Sequence, residues 1–401
     1  MNVIIKPSTA RGIITAPPSK SMAHRTLICG ALSTGSVIKN LAWSEDIKAT
    51  LRCLTALGAH IEEDGDTVTI GELNPATIAP TSPLDCGESG STLRFMIPLC
   101  LLSDNPITLI GAERLMQRPL GVYADLCTAA GLRFEQSENT LTVCGPLRGG
   151  RYTISGDVSS QFISGLLFSL PLAKEDSIIT VTGKAESLSY IDLTRKALSD
   201  FGIILSHTGN AIVIPGGQVY RPRTATVEGD WSNAAFLKAF NYFDGNVTVN
   251  GLEHNTPQGD RVCQELFSRL NAGDTAPIDL SDCPDLAPIL FAVAAAKKGG
   301  VFEGTARLKI KESDRAAAMQ AELGKCGVPV TVEDNRVIVH KADLHTPDGI
   351  IDGHNDHRIV MAMSVIGSLV GGEIAGAEAV TKSYPNFFDD IAKLGIQVNT
   401  Q

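Results

Sequence analysis

The side chains of this sequence best placed to do chemistry are cations standing where a helix begins. In Pro17-Pro18-Ser19-Lys20-Ser21-Met22-Ala23-His24-Arg25, Lys20 and Arg25 occupy the first turns of an apolar helical run, where the helix dipole disfavours positive charge. A bound phosphate or carboxylate would compensate them, with Ser21 and the open N–H groups of the first turn as further donors. For one isolated Ser-Lys-Ser, a solvated cap is the commoner meaning. Four more arginines change the balance: Arg94 beyond the Gly-rich turn Glu88-Ser89-Gly90-Ser91-Thr92, Arg118 in Gln117-Arg118-Pro119, Arg315 closing Lys311-Glu312-Ser313-Asp314-Arg315, and Arg358 after Asn355-Asp356-His357. Each alone is ordinarily a surface ion pair. A guanidinium fork matches carboxylate and phosphate oxygens, and its recurrence in equivalent loops suggests two anionic ligands.

Carboxylates beside these cations could move protons, and Glu312, next to Lys311, and Asp285, at the head of an apolar helix, are the best placed. A carboxylate flanked by cations ionises readily and suits a base, whereas one enclosed in a dry cleft can hold a proton. Asp285 reads equally well as a helix cap, and Glu312 as a capping partner or surface ion pair. His357 reads as a buried hydrogen-bonding histidine. No Ser-His-Asp order and no metal-ligand spacing stands out.

These residues recur because the chain does. Ser19-Lys20-Ser21, Glu88 to Thr92, Ser159-Ser160-Gln161, Asp230-Trp231-Ser232-Asn233, Asp282-Cys283-Pro284-Asp285 and Asn355-Asp356-His357-Arg358 each open an apolar helical stretch. A second helix follows each and ends at Gly58, Gly131, Gly202, Gly273, Gly327 or Gly395. Both series give about 70 residues per repeat, with one short interval of about 54 between the fourth and fifth. The third repeat shows the parts: a nearly all-apolar helix from Ser159 to Leu172, a strand from Ile178 to Val181, a two-faced helix carrying Ile191, Leu193, Leu198 and Phe201, and a strand Ile203-Ile204-Leu205 after Gly202. Burying the apolar helices centrally, with sheets and two-faced helices outside, is the simplest packing. Three repeats per domain suit ordinary domain size. The seam is expected near Arg221 to Glu228, with the first strand, before Pro17-Pro18, belonging to the C-terminal half and a hinged cleft between the halves.

Composition sets the outer bounds. The chain has 401 residues, 43% hydrophobic and 19% charged, with a net charge of −10 and a pI near 5.3, so any anion site is local, and nucleic acid or an anionic membrane is an unsuitable partner. Nine scattered cysteines without a CxxC pair read as buried free thiols, with no support for zinc. The N-terminus lacks the apolar core of a signal peptide, so a cytoplasmic protein is expected.

At these residues the chain resembles the 5-enolpyruvylshikimate-3-phosphate synthases of the enolpyruvyl transferase family. The segments carrying the resemblance are PSKSMAHRTL, ESGSTLRF, QRPLG, SSQFISGLL, SLSYIDLT, VEGDWSNAAF, CPDLAP, KIKESDR, NDHRIVMAM and KSYPNFF, in family order from Pro18 into the Pro385 segment. The resemblance implies an α/β (α+β) protein, a two-domain inside-out α/β barrel. Each domain would hold three βαβαββ repeats, with residues 1–16 plus 229–401 as one and 17–228 as the other, joined by a two-stranded hinge. It implies transfer of the enolpyruvyl group of phosphoenolpyruvate to the 5-hydroxyl of shikimate 3-phosphate through a tetrahedral intermediate, by a monomer with no cofactor, no metal and only small-molecule partners.

By motif position, Lys20, Ser21, Arg25, Ser159, Ser160, Gln161, Ser187, Tyr190, Asp285 and Lys311 would hold shikimate 3-phosphate. Lys20, Gly90, Arg118, Gln161, Arg315, Arg358 and Lys382 would surround phosphoenolpyruvate. Asp285 would be the base for the 5-hydroxyl, and Glu312 with Lys20 the proton donor to the methylene of phosphoenolpyruvate. Gly90, rather than a bulkier residue, implies sensitivity to glyphosate. Glu88 and Arg307 stand where the family frequently has Asn, and both are left out of the site. The related transferase acting on UDP-N-acetylglucosamine usually carries Cys five residues before the Arg-Pro of its mobile loop, where this chain has Glu113. A non-catalytic anion-binding homologue would be expected to lack at least one of Lys20, Asp285 and Glu312, and all three are present.

Overall fold

Each polar cluster begins a buried helix, and each of the six glycines follows a second one. A computed structural model describes residues 1–71, 73–74, 78–183 and 186–401. Its helices are α1 (Lys20–Ala31), α2 (Glu45–Ala56), α3 (Gly90–Cys100), the single turn α4 (Glu113–Met116), α5 (Gly121–Ala130), α6 (Ser160–Ser169), α7 (Leu188–Asp200), α8 (Trp231–Ala239), α9 (Cys263–Ala272), α10 (Ala287–Ala296), α11 (Arg315–Lys325), α12 (His357–Val370) and α13 (Phe387–Lys393). Short polar side chains start several of them. Ser89, Ser159, Asp230 and Asp356 accept backbone N–H bonds from the first turns of α3, α6, α8 and α12, satisfying donors that a helix start leaves open. Gly131 and Gly273 close α5 and α9 in the left-handed region, at φ 66° and 77°, where a Cβ would be strained.

The first helix of each repeat is buried nearly all round. Every residue of α10 from Ala287 to Ala295 is buried, and in α8 only Lys238 is not. The second helices are two-faced: α9 buries Cys263, Leu266, Phe267 and Leu270 and leaves the rest outside. This division of labour follows from composition, since an apolar helix has no face that gains from water.

The strands repeat as well. In the second repeat Leu84–Asp85 pairs in parallel with Ile107–Ile110, which pairs antiparallel with Thr140–Cys144, itself antiparallel to Arg133–Gln136. The third and fifth repeats have the same order and pairing. In the first repeat the parallel edge strand comes from far along the chain, with Thr224 opposite Val37. In the sixth, the N-terminal strand Asn2–Lys6 fills the third place, with Val3 opposite both Ile374 and Thr400. The fourth repeat has only Arg11–Thr15 beside Asn246–Asn250, Val247 opposite Gly12. From Gly273 the chain passes directly to the strand Ile278–Asp279, so the short sequence interval is a repeat without its closing hairpin.

The chain divides into two compact units, Met1–Ser19 with Gly229–Gln401, and Lys20–Glu228. Each has its own apolar core, one around Phe95, Tyr123 and Phe168, the other around Phe236, Phe291 and Phe302.

One strand lies elsewhere than its composition suggests. Ile203-Ile204-Leu205 is not paired; the strand is Ser206–Thr208. Ile203 donates its N–H to Leu198 O at 2.9 Å as part of the turn that ends α7, and Ile204 N and O are both bonded by the Gln218 side chain, at 2.8 and 3.0 Å. Apolar β-branched residues were here spent on a helix terminus and a side-chain clamp. All nine cysteines are free, eight of them buried and Cys144 half-buried.

Candidate active site

In the unit Lys20–Glu228 the helix starts gather cations and hydroxyls. Lys20 heads α1, and its Nζ lies 2.7 Å from Asp46 Oδ2 near the start of α2. Arg25 is one turn further in and 2% exposed. Its guanidinium donates to Thr194 Oγ1 at 2.8 Å, Ser21 O at 2.7 Å and Tyr190 O at 3.0 Å, and lies over the Phe95 ring at 5.3 Å. All these partners are neutral. Burial lowers its pKa to about 10, with Tyr190 and Cys29 acting in the opposite direction. His24 is buried beside it, with Nδ1 2.7 Å from Thr50 Oγ1; burial, then Lys20 and Arg25, push its pKa well down, so it is a neutral ring.

Arg94, buried on α3, donates to Gln161 Oε1 at 2.7 Å and stacks over Phe162 at 5.2 Å, while Gln161 Nε2 donates to Ser91 Oγ at 2.9 Å. This links the Gly-rich turn of the second repeat to the Ser-Ser-Gln cap of the third. Gly90 lies beneath Arg118: a Cβ there would stand 2.6 Å from Arg118 Nη1 and 3.6 Å from Arg94 Nη1. Ser187 starts α7 in the left-handed conformation, φ 56° and ψ 41°, and is buried. A non-glycine residue held there is strained, a state that folds retain mostly at working sites.

In the other unit the same kind of helix start carries an ion-pair web. Arg315, 1% exposed, holds three carboxylates: Asp356 Oδ2 from Nε at 2.9 Å, Asp285 Oδ1 from Nη1 at 2.8 Å and Glu312 Oε2 from Nη2 at 2.7 Å. Asp285 also receives Arg358 Nη2 at 3.0 Å and Lys311 Nζ at 3.2 Å. It lies in a 3-10 turn, Pro284–Leu286, directly ahead of α10. Burial opposes its ionisation, but Arg358, then Lys311 and Arg315, hold its carboxyl well below the usual range. Arg315 is likewise penalised by burial and kept charged by Asp356, Glu312 and Asp285. Burial lowers the pKa of Lys311 despite Asp285. Lys382, buried, donates to Asn355 O at 2.7 Å beside the start of α12.

Asp285, Lys311, Glu312, Arg315 and Arg358 thus form one cluster with Lys382 beside its α12 edge, and Lys20, Ser21, Arg25, Ser159, Ser160, Gln161, Ser187, Tyr190, Gly90 and Arg118 all belong to the other unit, mostly at its helix starts. Sequence reasoning missed several partners. Asp46 pairs with Lys20, Thr194 bonds Arg25, and Asp356, seen only as part of a polar cluster, is the buried anchor of Arg315. Asp260 carried no signal in type or spacing; burial and the charge of Asp285, opposed by Arg358, raise its pKa to about 7. Of the two departures from the resembling family, Glu88 is exposed and Arg307 Nη2 donates to Ser281 O at 3.1 Å. Among the described residues no cluster of His, Cys, Asp or Glu is arranged for a metal, and no helix is long and apolar enough to cross a membrane.

Comparison with known proteins shows the family and the fold. The family model described as EPSP synthase (3-phosphoshikimate 1-carboxyvinyltransferase) matches residues 4–391. A 3-phosphoshikimate 1-carboxyvinyltransferase of Clostridium perfringens (strain 13 / Type A) is 39% identical, over 98% of each chain. One from Clostridium kluyveri is 38% identical over 99% of this chain and 98% of the other. The solved EPSP synthase of Acinetobacter baumannii has a similar fold, with a TM-score of 0.80, 24% identity and complete coverage of both chains.

Proposed function

The chain belongs to the EPSP synthase (3-phosphoshikimate 1-carboxyvinyltransferase) family, and from that premise we propose that it transfers the enolpyruvyl group of phosphoenolpyruvate to the 5-hydroxyl of shikimate 3-phosphate, releasing phosphate. The observation that carries this reading is the cluster around Asp285. A half-buried, ionised carboxylate held by Arg315, Arg358 and Lys311 sits one guanidinium away from a second carboxylate, Glu312. That arrangement suits a base and an acid working on the same anionic substrate.

Shikimate 3-phosphate is assigned to Lys20, Ser21, Arg25, Ser159, Ser160, Gln161, Ser187, Tyr190, Asp285 and Lys311. Arg25 supports the assignment most directly, because a buried cation with neutral partners gains from an arriving anion. Phosphoenolpyruvate is assigned to Lys20, Gly90, Arg118, Gln161, Arg315, Arg358 and Lys382. Glu312, with Lys20, gives a proton to the methylene carbon, C2 becomes electron-poor, the 5-oxygen bonds to C2, and Asp285 takes the hydroxyl proton. The tetrahedral intermediate then loses phosphate from C2, and the methyl group returns its proton to the Glu312 carboxylate, restoring the double bond. When phosphoenolpyruvate draws Arg315 and Arg358 to its own oxygens, the charges that hold Asp285 acidic are partly withdrawn, and its basicity rises as the substrate binds. The enzyme is read as a cytoplasmic monomer of aromatic amino-acid biosynthesis acting on two small molecules without a cofactor.

Phosphate release from phosphoenolpyruvate tests the reading. It is expected with shikimate 3-phosphate and absent with UDP-N-acetylglucosamine; the reverse pattern transfers the chain to the other enolpyruvyl transferase, and no release with either acceptor removes the catalytic assignment.

A further inference from the structure

Just before α12 the backbone takes two consecutive left-handed residues, neither of them glycine: His354 at φ 49° and Asn355 at φ 50°. L-residues seldom adopt this conformation, and two in a row need outside support. The support comes from α11. Glu322, 1% exposed, meets His354 Nε2 with Oε1 at 2.9 Å, and its Oε2 accepts Asp352 N at 3.0 Å and Lys325 Nζ at 2.8 Å. His354 N donates to Asp352 Oδ1 at 2.7 Å, and Asp356 N to Gly353 O at 2.9 Å.

The far side of this turn is the phosphoenolpyruvate side of the proposed site. Asn355 O accepts Lys382 Nζ at 2.7 Å, and Asp356 binds Arg315 Nε at 2.9 Å, Ser313 Oγ at 3.0 Å and Arg358 N at 2.9 Å. We propose that His354 and Glu322 are a pH-sensitive positioning pair for this site: charged His354 clamps the turn to α11, and the clamp sets how well Lys382, Arg315 and Arg358 receive the anionic substrate. The inference rests on the function proposed above. Neither residue touches a reacting atom; they act through the Asn355 carbonyl and the Asp356 carboxylate.

The acids facing His354 outweigh the one cation, Lys325. The hydrogen bond from Glu322 raises its pKa, burial opposes, and Asp352 and the Glu322 charge add to the rise while Lys325 subtracts from it. For Glu322, burial opposes ionisation, but His354, Lys325 and the Asp352 N–H win and keep it charged. At the end of α11, burial, Glu322 and Asp348 raise the pKa of the Cys326 thiol to about 11 against Lys325, so it stays neutral. Because the folded-state pKa is raised, the clamp is complete at low pH and weakens as pH rises through it, when a charge-assisted bond becomes a neutral one.

The test compares the KM for phosphoenolpyruvate against pH in the wild type and in His354→Gln, which keeps a hydrogen-bonding side chain but cannot be charged. At about pH 6 the variant is expected to show a KM about three- to tenfold higher, with the effect on KM rather than kcat and the two proteins converging by about pH 9. Parallel profiles overturn the proposal. Linkage supplies a second measurement on the unaltered protein, since a clamp that favours substrate must be tightened by it. The His354 imidazole, followed by NMR, is expected to titrate at higher pH with phosphoenolpyruvate bound, and an unmoved titration overturns the proposal. A wild type that releases no phosphate sinks the function itself, whereas a working enzyme with parallel profiles sinks only the positioning pair.

Discussion

Arg25 and Arg315 are both buried guanidiniums at helix starts, and the two units treat them in opposite ways. Arg25, in Lys20–Glu228, is surrounded by a threonine hydroxyl, two carbonyls and an aromatic ring, and its pKa falls to about 10. Arg315, in the other unit, bridges Asp285, Glu312 and Asp356 and is held more firmly charged than a free arginine. A buried charge costs free energy until something of opposite sign meets it. In one unit the partners are neutral and in the other they are carboxylates; on the proposed assignment the first leaves compensation to an incoming anion, and two of the carboxylates double as acid and base. On that assignment, binding and proton transfer are built from the same element, a cation at a helix start, by changing what stands around it.

The sharpest way to break this contrast is to neutralise the carboxylates. Asp285→Asn or Glu312→Gln should each lower kcat by about a thousandfold, within the usual range for a general acid or base, while calorimetry shows Glu312→Gln still binding shikimate 3-phosphate. Normal turnover in either removes that residue from proton transfer. Next in size is stability in denaturant: Arg315→Gln should cost about 3–5 kcal/mol by taking the guanidinium from the buried Asp356 carboxylate. Arg25→Gln should instead change stability little and raise the KM for shikimate 3-phosphate about a hundredfold, as loss of charged hydrogen bonds to an anion would. Equal stability losses in the two variants would erase the distinction.

Gly90→Ala probes the binding side more gently. Its new Cβ would stand 2.6 Å from Arg118 Nη1, so the guanidinium must move, and the KM for phosphoenolpyruvate should rise about tenfold. Glyphosate is expected to compete with phosphoenolpyruvate in the wild type and to lose potency in this variant; an inhibitor that ignores both changes contradicts the assignment of Gly90. The smallest effect concerns Asp260, whose pKa of about 7 lies above its ordinary value. The folded state binds that proton more tightly than the unfolded state, so the contribution is full below the ordinary carboxyl pKa and is lost as pH rises through about 7. Asp260→Asn should therefore melt with the wild type near pH 4 and be the more stable of the two near pH 8; a constant difference across that range would mean the group does not titrate there.

Much of the fold was legible because its punctuation is local. A capping Ser or Asp before an apolar run, and a glycine after a two-faced one, act within a turn of where they stand, so helix starts and stops could be read residue by residue. The strand after Gly202 was misplaced because the partner that takes Ile204, the Gln218 side chain, stands 14 residues on and leaves no periodicity to read. The short fourth interval was visible as a number, but only the sheet pairing showed it to be a missing hairpin.

The chemical side chains were legible in the same uneven way. Residue types and their spacing, with the family they resemble, determined by themselves that cations would recur at helix starts and that Asp285 and Glu312 would stand among them. Tertiary structure alone decided which cations would be compensated, because Asp356 reaches Arg315 across 41 residues and Thr194 reaches Arg25 across 169. A helix dipole or a cap belongs to its own segment, whereas the charge state of a buried group belongs to whatever the fold packs around it.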